Sequence, residues 1–211
     1  MSDPTFPLLA VSRLRMATDG SGVTTLVAAA GCPLRCRWCL NPQSWNGTAK
    51  VESVSPDALY ERVKIDDLYF QATGGGITFG GGEPLLHADF IARFRERCGE
   101  RWRVCAETCL TVPQNCVEIA AACVDEFIVD VKEMNPEIYR AYTGSGNAQV
   151  IENLKRLIAS VGAERVLARV PLIPDYNTEA DVESSVEALR KTGVTRFDRF
   201  SYIKNEGLPR L

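Results

Sequence analysis

The chain has 211 residues, with 24 Lys and Arg against 27 Asp and Glu, giving a formal net charge of −3. That balance supplies no electrostatic pull toward nucleic acid or an anionic membrane. Mean hydropathy is −0.08, and no apolar run approaches the ~20 residues of a spanning helix, so a membrane span is excluded. The stretch Met1–Pro7 has neither a basic region nor an apolar leader, so a cytoplasmic location is expected. Hydrophobic residues make up 45% of the chain, enough for one sizeable core, and a single domain over residues 1–211 is expected.

Leu8–Met16 reads as an N-terminal strand or hairpin arm. After it, short β-branched runs alternate with amphipathic segments. The first of these are a strand at Thr24–Ala30, a helix at Pro56–Ile65 behind Ser55, and a strand at Gly76–Phe79. A helix at His87–Cys98, a strand at Arg103–Glu107 and a helix at Gln114–Ala122 follow. Next come a strand at Glu126–Lys132 and helices at Pro136–Tyr142 and Val150–Val161. A strand at Arg165–Ile173, a helix at Glu179–Lys191 behind Thr178, and a strand at Thr195–Ile203 close the series.

Six strands alternating with helices predict parallel pairing through right-handed crossovers. A closed eight-stranded barrel takes ~250 residues. The shorter series predicts an α/β fold, an incomplete (β/α)6 TIM-like barrel with a short N-terminal arm. A flat doubly wound sheet is the alternative. Either architecture gathers functional groups at the C-terminal ends of its strands. The unusual residues of this chain fall there: a cysteine cluster, a glycine triplet, Glu107-Thr108, Asp130 with Lys132, and Arg169-Val170-Pro171.

The chain has eight cysteines and one histidine, His87. A multi-histidine metal site is therefore impossible, and a Ser-His-Asp triad has no support. Three of the thiols lie in Gly31-Cys32-Pro33-Leu34-Arg35-Cys36-Arg37-Trp38-Cys39. That spacing lets one loop wrap three sulfurs around a compact soft-metal centre. A structural zinc site would want a fourth ligand, and none of Cys98, Cys105, Cys109, Cys116 and Cys123 forms a second close pair. A four-iron cluster on three thiolates keeps one iron open for a substrate. Zinc and reactive thiols remain the alternatives.

The Cys-x3-Cys-x-aromatic-Cys loop resembles the signature of radical S-adenosylmethionine enzymes. Residues 31–42 as a whole resemble the branch that activates glycyl-radical enzymes, of the pyruvate formate-lyase activase type, and the resemblance runs from about Leu14 to Tyr202. It is strengthened by Gly74-Gly75-Gly76-Ile77-Thr78-Phe79-Gly80-Gly81-Gly82-Glu83-Pro84. Gly81, Gly82 and Glu83 match the family's Gly-Gly-Glu-Pro motif, whose backbone and Glu hold the methionine ammonium of the cofactor. No Gly-Lys-Ser/Thr is present, so a phosphate loop is unsupported.

The same resemblance assigns roles to other strand-end residues. Glu107 and Thr108 would flank a monovalent cation together with Asp130, although the family's pyruvate formate-lyase activase has Asp where this chain has Glu107. Lys132 shares a strand face with Asp130 and would meet the cofactor or the substrate backbone. Arg169-Val170-Pro171-Leu172-Ile173-Pro174-Asp175-Tyr176-Asn177 matches a family stretch that meets adenosine or the partner, with Pro171 expected to end the strand pairing. Trp38 would stack near adenine, and Leu40 joins the expected cofactor contacts. A histidine that follows the sixth strand in the family is missing from Phe200-Ser201-Tyr202-Ile203-Lys204, where Tyr202 is the candidate substitute. From the residues alone, solvated ion pairs and a rigid loop are the competing readings of these charges.

Many activases insert a cysteine-rich ferredoxin-like domain after the first motif; Asn41–Thr73 has no cysteine, so no second cluster is expected. The five other cysteines are expected to act as small buried hydrophobes, and His87 as a surface or capping group. The implied cofactors are one [4Fe-4S] cluster and S-adenosylmethionine, with a monovalent cation as a further candidate. The implied reaction is reductive cleavage of S-adenosylmethionine to a 5′-deoxyadenosyl radical, which takes hydrogen from a backbone glycine of a partner glycyl-radical enzyme. Lys132 and Asp130 are the catalytic candidates, flavodoxin or ferredoxin the donor, and a monomer the expected state. Radical chemistry on a small molecule or peptide, and a zinc-bound interaction module, are the competing functions.

Overall fold

The computed structural model describes residues 3–16 and 18–202. β1 (Phe6–Met16) turns back into β2 (Val23–Ala29) as an antiparallel pair, with Met16 opposite Val23. Then come α1 (Gln43–Asn46), β3 (Glu52–Val54), α2 (Pro56–Val63), α3 (Asp67–Thr73), β4 (Gly76–Gly81) and α4 (Ala88–Cys98). β5 (Arg103–Thr108), α5 (Gln114–Cys123), β6 (Glu126–Asp130), α6 (Pro136–Thr143) and α7 (Ala148–Val161) follow. β7 (Val166–Leu172), α8 (Glu179–Lys191) and β8 (Arg196–Ser201) complete the described chain.

All eight strands form one sheet in the order β3-β1-β2-β4-β5-β6-β7-β8. β2 and β4 through β8 run parallel in unbroken sequence order, while β1 and β3 pair antiparallel at one edge. The sheet does not close. This is the expected incomplete (β/α)6 barrel with its N-terminal arm.

Alternation along the strands separates two faces. Ile77, Phe79, Val104, Ala106, Phe127, Val129, Val166 and Ala168 belong to the buried core. Phe90, Phe94, Leu154, Leu157, Val182, Val186 and Leu189 come to them from the helices. Each such side chain contributes about 1.5–3 kcal/mol when fully buried. The other face is polar, and the turn between β1 and β2 folds against it. Thr78 donates its hydroxyl to the Asp19 carbonyl, Gly20 lies against the Cys105 thiol, and Ser21 donates to Glu126 at 3.2 Å.

Local sequence fixes several boundaries. Thr178 caps α8 through a reciprocal capping box with Asp181, and Ser55 caps α2 by accepting from the Ala58 N–H at 3.2 Å. The helix expected at Pro56–Ile65 instead stops at Val63 and passes through a 3₁₀ turn at Lys64–Asp66. There the buried Asp66 carboxylate accepts from Arg13 and, at 2.7 Å, from Thr25. Those remote partners re-aim the chain into α3, which the sequence reading lacks. Pro171 does not end β7. It lies within the strand opposite Phe200, and its carbonyl accepts from Asn177 Nδ2 at 3.1 Å. Ile203, the expected end of the last strand, and Lys204 fall outside the described residues.

Candidate active site

The thiol loop leaves the C-terminal end of β2 and is held from three sides. Its Gly31 N–H donates to the Ser44 carbonyl at 2.6 Å. The Arg35 and Arg37 N–H groups donate to Thr143 and Tyr142 carbonyls at the end of α6, at 2.9 and 3.1 Å. Trp38 Nε1 donates to the Pro174 carbonyl at 3.1 Å, tying the loop to the segment after β7. Leu34 is buried beneath the loop, and Leu40 is 56% exposed at its edge.

Cys32, Cys36 and Cys39 are all free and half-buried. Burial pushes the Cys36 thiol up to about 12, so iron binding there must displace a proton. A hydrogen bond with the Cys109 thiol draws Cys32 below its ordinary range. Cys109 is therefore more than the buried filler expected of it: it touches Cys32 on one side and Glu83 on the other. Cys98 and Cys105 are buried, and Cys116 and Cys123 half-buried, away from this loop.

Lys132 is 7% exposed, and it lies within electrostatic reach of Cys32 and Cys36. Its Nζ donates to Asp130 Oδ2 at 2.7 Å and to the Tyr202 hydroxyl at 2.9 Å. Burial disfavours the ammonium, but the Asp130 carboxylate together with Tyr202, Cys36 and Tyr142 around it outweighs that penalty and raises Lys132 above its ordinary range. The Tyr202 ring packs beside Tyr142 and Phe200. Tyr202 thus occupies the end of the last strand as an oxygen partner of Lys132.

The Gly-Gly-Glu segment is built into the sheet. Gly82 N–H donates to the Ala29 carbonyl at 2.9 Å, and Glu83 N–H to the Gly31 carbonyl at 2.7 Å. A Cβ on Gly82 would come within 2.2 Å of the Gly31 oxygen, so only glycine permits this approach to the thiol loop. Glu83 has no solvent exposure. One carboxylate oxygen accepts from the Thr108 hydroxyl at 2.7 Å and the Leu85 N–H at 3.0 Å, the other from the Cys109 N–H at 2.8 Å. Burial raises its affinity for a proton against those donors.

Glu107 and Thr108 are split by strand alternation. Thr108 turns to Glu83, whereas the Glu107 carboxylate is ion-paired with Arg169, which also reaches Asp198 at 3.2 Å and the Thr18 carbonyl. The residues read as cofactor ligands thus fall into two groups. Cys32, Cys36, Cys39, Lys132 and Tyr202 gather at one end of the sheet, Glu107 and Arg169 form an ion pair on the inner face, and Asp130, opposite Arg169 across β6 and β7, joins the two. His87 packs edge-on against Phe6 with ring centroids 5.4 Å apart and makes no cap hydrogen bond.

One residue went unread in the sequence. Glu133, 2% exposed, accepts from Ser185 Oγ at 2.5 Å, Met134 N–H at 2.8 Å and Asn177 Nδ2 at 3.1 Å. It clasps the segment after β6 to the one after β7. Its signal, a Glu directly after Asp130-Val131-Lys132, has no periodicity of its own.

Three thiols without histidine, beside a buried ammonium, suit an anionic iron–sulfur cluster better than a hard cation. Among the described residues, no three His, Cys, Asp or Glu side chains are grouped as a single metal ion would need; a four-iron cluster distributes its thiolates over separate irons. Cys32, Cys36 and Cys39 would hold it, and Lys132 would offset its negative charge.

The Radical SAM superfamily profile matches residues 26–189. The isethionate sulfite-lyase activating enzyme of Desulfovibrio desulfuricans is 31% identical over 236 residues, covering 82% of this chain and 74% of that protein. The pyruvate formate-lyase 2-activating enzyme of Escherichia coli is 35% identical over 189 residues, covering 75% of this chain and 64% of that protein. In fold, the chain is similar to SuiB of Streptococcus suis solved with S-adenosylmethionine, with a TM-score of 0.64 at 14% identity. That similarity covers 85% of this chain, which spans about two fifths (40%) of SuiB. The alignment with the Desulfovibrio enzyme takes in 82% of this chain, about 173 residues, over 236 positions, so that relative carries stretches this chain lacks.

Proposed function

Because the chain belongs to the radical S-adenosylmethionine superfamily, and within it to the activating enzymes of glycyl-radical enzymes, we propose that it installs a glycyl radical on a partner enzyme. A [4Fe-4S] cluster and S-adenosylmethionine are the cofactors of this superfamily. On one-electron reduction they supply methionine and a 5′-deoxyadenosyl radical, and the chemistry is theirs. The chain's own residues bind, orient and shield.

Cys32, Cys36 and Cys39 would hold the cluster at the end of β2, and three protein thiolates would leave one iron for S-adenosylmethionine. Lys132 presents its ammonium where the cofactor carboxylate would sit, steadied by Asp130 and by the Tyr202 hydroxyl. The backbone of Gly81 and Gly82 beside the thiol loop would meet the methionine end of the cofactor, with Glu83 holding Thr108 and Cys109 in place. Trp38 and Leu40 border the adenosine side. Arg169 and Glu107 pair on the inner face next to Asp130, and in this reading the Arg169 guanidinium takes the place of a cation between Glu107 and Asp130.

What carries this reading is the placement of Lys132, bonded to Asp130 and Tyr202, within electrostatic reach of Cys32 and Cys36 at the C-terminal end of an open sheet. The sheet is open between β3 and β8, and an unclosed edge favours a protein loop carrying a backbone glycine over a small enclosed substrate. We place the protein in the cytoplasm, where among the described residues no helix is long and apolar enough to cross a membrane. It acts as a single-domain monomer and takes its electron from a flavodoxin or ferredoxin.

The test is to incubate anaerobically reconstituted protein with dithionite, S-adenosylmethionine and a panel of purified glycyl-radical enzymes. The expected result is a glycyl radical in one of them by electron paramagnetic resonance, dependent on S-adenosylmethionine. Cleavage of S-adenosylmethionine without a glycyl radical in any of them, accompanied by hydrogen transfer from an added peptide or small molecule, would contradict it.

A further inference from the structure

We propose that the face of the thiol loop turned toward α6 is the docking surface for an acidic one-electron carrier protein. The proposal rests on the radical chemistry above and adds the place where the electron enters. Two stretches of chain meet on this face, residues 31–51 and 138–151, and neither contains an Asp or a Glu. They are joined through the Arg35 and Arg37 N–H groups and the Thr143 and Tyr142 carbonyls. Arg35, Arg37 and Arg140 are all exposed there.

The charge accounting of the rest of the molecule makes this group unusual. Arginines from Arg13 to Arg199 sit in ion pairs with carboxylates. Among the described residues without such a pair, Arg165 donates to the Val124 and Asp125 carbonyls, Arg190 lies over Phe197, and Arg101 donates to the Tyr60 hydroxyl. The remaining three are Arg35, which donates to the Cys32 and Leu34 carbonyls at 2.6 and 2.8 Å, Arg37 and Arg140, so three of the six described arginines without a carboxylate partner lie on the thiol loop and α6. The only carboxylate on α6, Glu137, is in its first turn, at the end away from this face.

Beside Arg35 and Arg37 lies a cavity of about 440 Å³ walled by these two with Pro42, Trp45 and, from the end of α6, Gly144, and bordered by both Cys36 and Cys39. The Arg35 guanidinium stands 4.9 Å over the Trp45 ring, which holds it in place without neutralising it. None of Asp130, Lys132, Gly82 or Glu83 lines that cavity. The strand-end side of the thiols is thus kept for the cofactor and the glycine loop, and the α6 side is the route left for an electron. In the step itself one electron leaves the reduced flavin of the carrier and enters the cluster; no bond forms or breaks. Uncompensated positive charge beside an apolar cavity fits a carrier with a carboxylate-rich rim around its cofactor, and steers its approach.

A purified flavodoxin is the probe, with calorimetric binding and S-adenosylmethionine cleavage as the two readouts on the reconstituted holoenzyme. Raising salt from roughly 0.05 M to 0.3 M is expected to weaken wild-type binding. Arg37→Glu combined with Arg140→Glu is expected to lower flavodoxin affinity about tenfold and to flatten that salt dependence. Cleavage driven by dithionite, a small reductant that needs no docking, is expected to fall less than cleavage driven by flavodoxin. Flavodoxin affinity unchanged by the double reversal would overturn the proposal, as would equal losses with both reductants. A wild-type protein that cleaves no S-adenosylmethionine even with dithionite fails earlier, at the radical reading, and takes this proposal with it.

Discussion

Glu83 and Asp130 are both carboxylates at strand ends, and both match residues that meet the cofactor in the family this chain resembles. The fold treats them oppositely. Glu83 is sealed from solvent, with both oxygens taken by the Thr108 hydroxyl and by backbone N–H groups of Leu85 and Cys109. Asp130 keeps 30% of its side chain exposed and has one strong partner, Lys132, at 2.7 Å. A buried acceptor with three donors aimed at it works as a girder between the β4 and β5 ends. A half-exposed carboxylate steadying a buried ammonium keeps surface free for a ligand, as the proposed function requires of it. Membership in one motif set therefore does not imply one job, and the number of internal donors separates the two.

The sharpest way to break that contrast is at Glu83. Glu83→Ala strands the Thr108 hydroxyl and two backbone N–H groups without an acceptor, at a cost of about 3–5 kcal/mol in all. Scanning calorimetry of the cluster-free protein is expected to find the midpoint lowered by roughly 10 °C. A midpoint within about 2 °C of wild type, with S-adenosylmethionine binding lost, would make Glu83 a ligand-facing group after all. Asp130→Ala is expected to give the opposite pattern and the smaller stability effect. Thermal stability should fall by no more than about 1 kcal/mol, cluster iron should stay intact, and affinity for S-adenosylmethionine should fall about tenfold, as for the loss of one close charge partner. Equilibrium binding to the iron-loaded protein checks it, and unchanged affinity would reduce the Asp130–Lys132 pair to a structural one.

The difference between these carboxylates also marks what sequence can reveal. The thiol loop, the Gly-Gly-Glu segment and Asp130 with Lys132 were legible because each is a short, contiguous pattern whose position at a strand end follows from alternation. The Thr178 cap was legible for the same reason, its partner Asp181 lying three residues on. What escaped depends on distant partners. Asp66 ends α2 and starts α3 through Arg13 and Thr25, which are 53 and 41 residues away. β3 is three residues long, too short to carry a period. Glu133 reaches Ser185 across 52 residues. Glu107 and Thr108, adjacent in sequence, were read as one pair and face opposite sides because a strand sends neighbours apart. Cys109 looked like a small core residue because nothing local connects it to Cys32.

That last contact bears on the central claim, that three thiolates from this chain hold the cluster and leave one iron open. Cys109 is the distal cysteine placed against a member of the triad, so it is the residue best able to supply a fourth thiolate. Iron content and 5′-deoxyadenosine yield of Cys109→Ser, reconstituted anaerobically beside Cys32→Ala, Cys36→Ala and Cys39→Ala, measure this directly. The account predicts about four irons per chain and S-adenosylmethionine cleavage in Cys109→Ser, with neither in any of the three loop variants. Loss of the cluster in Cys109→Ser, in protein that otherwise folds as wild type, would mean a site fully ligated by protein and would contradict the open iron on which the proposed chemistry depends.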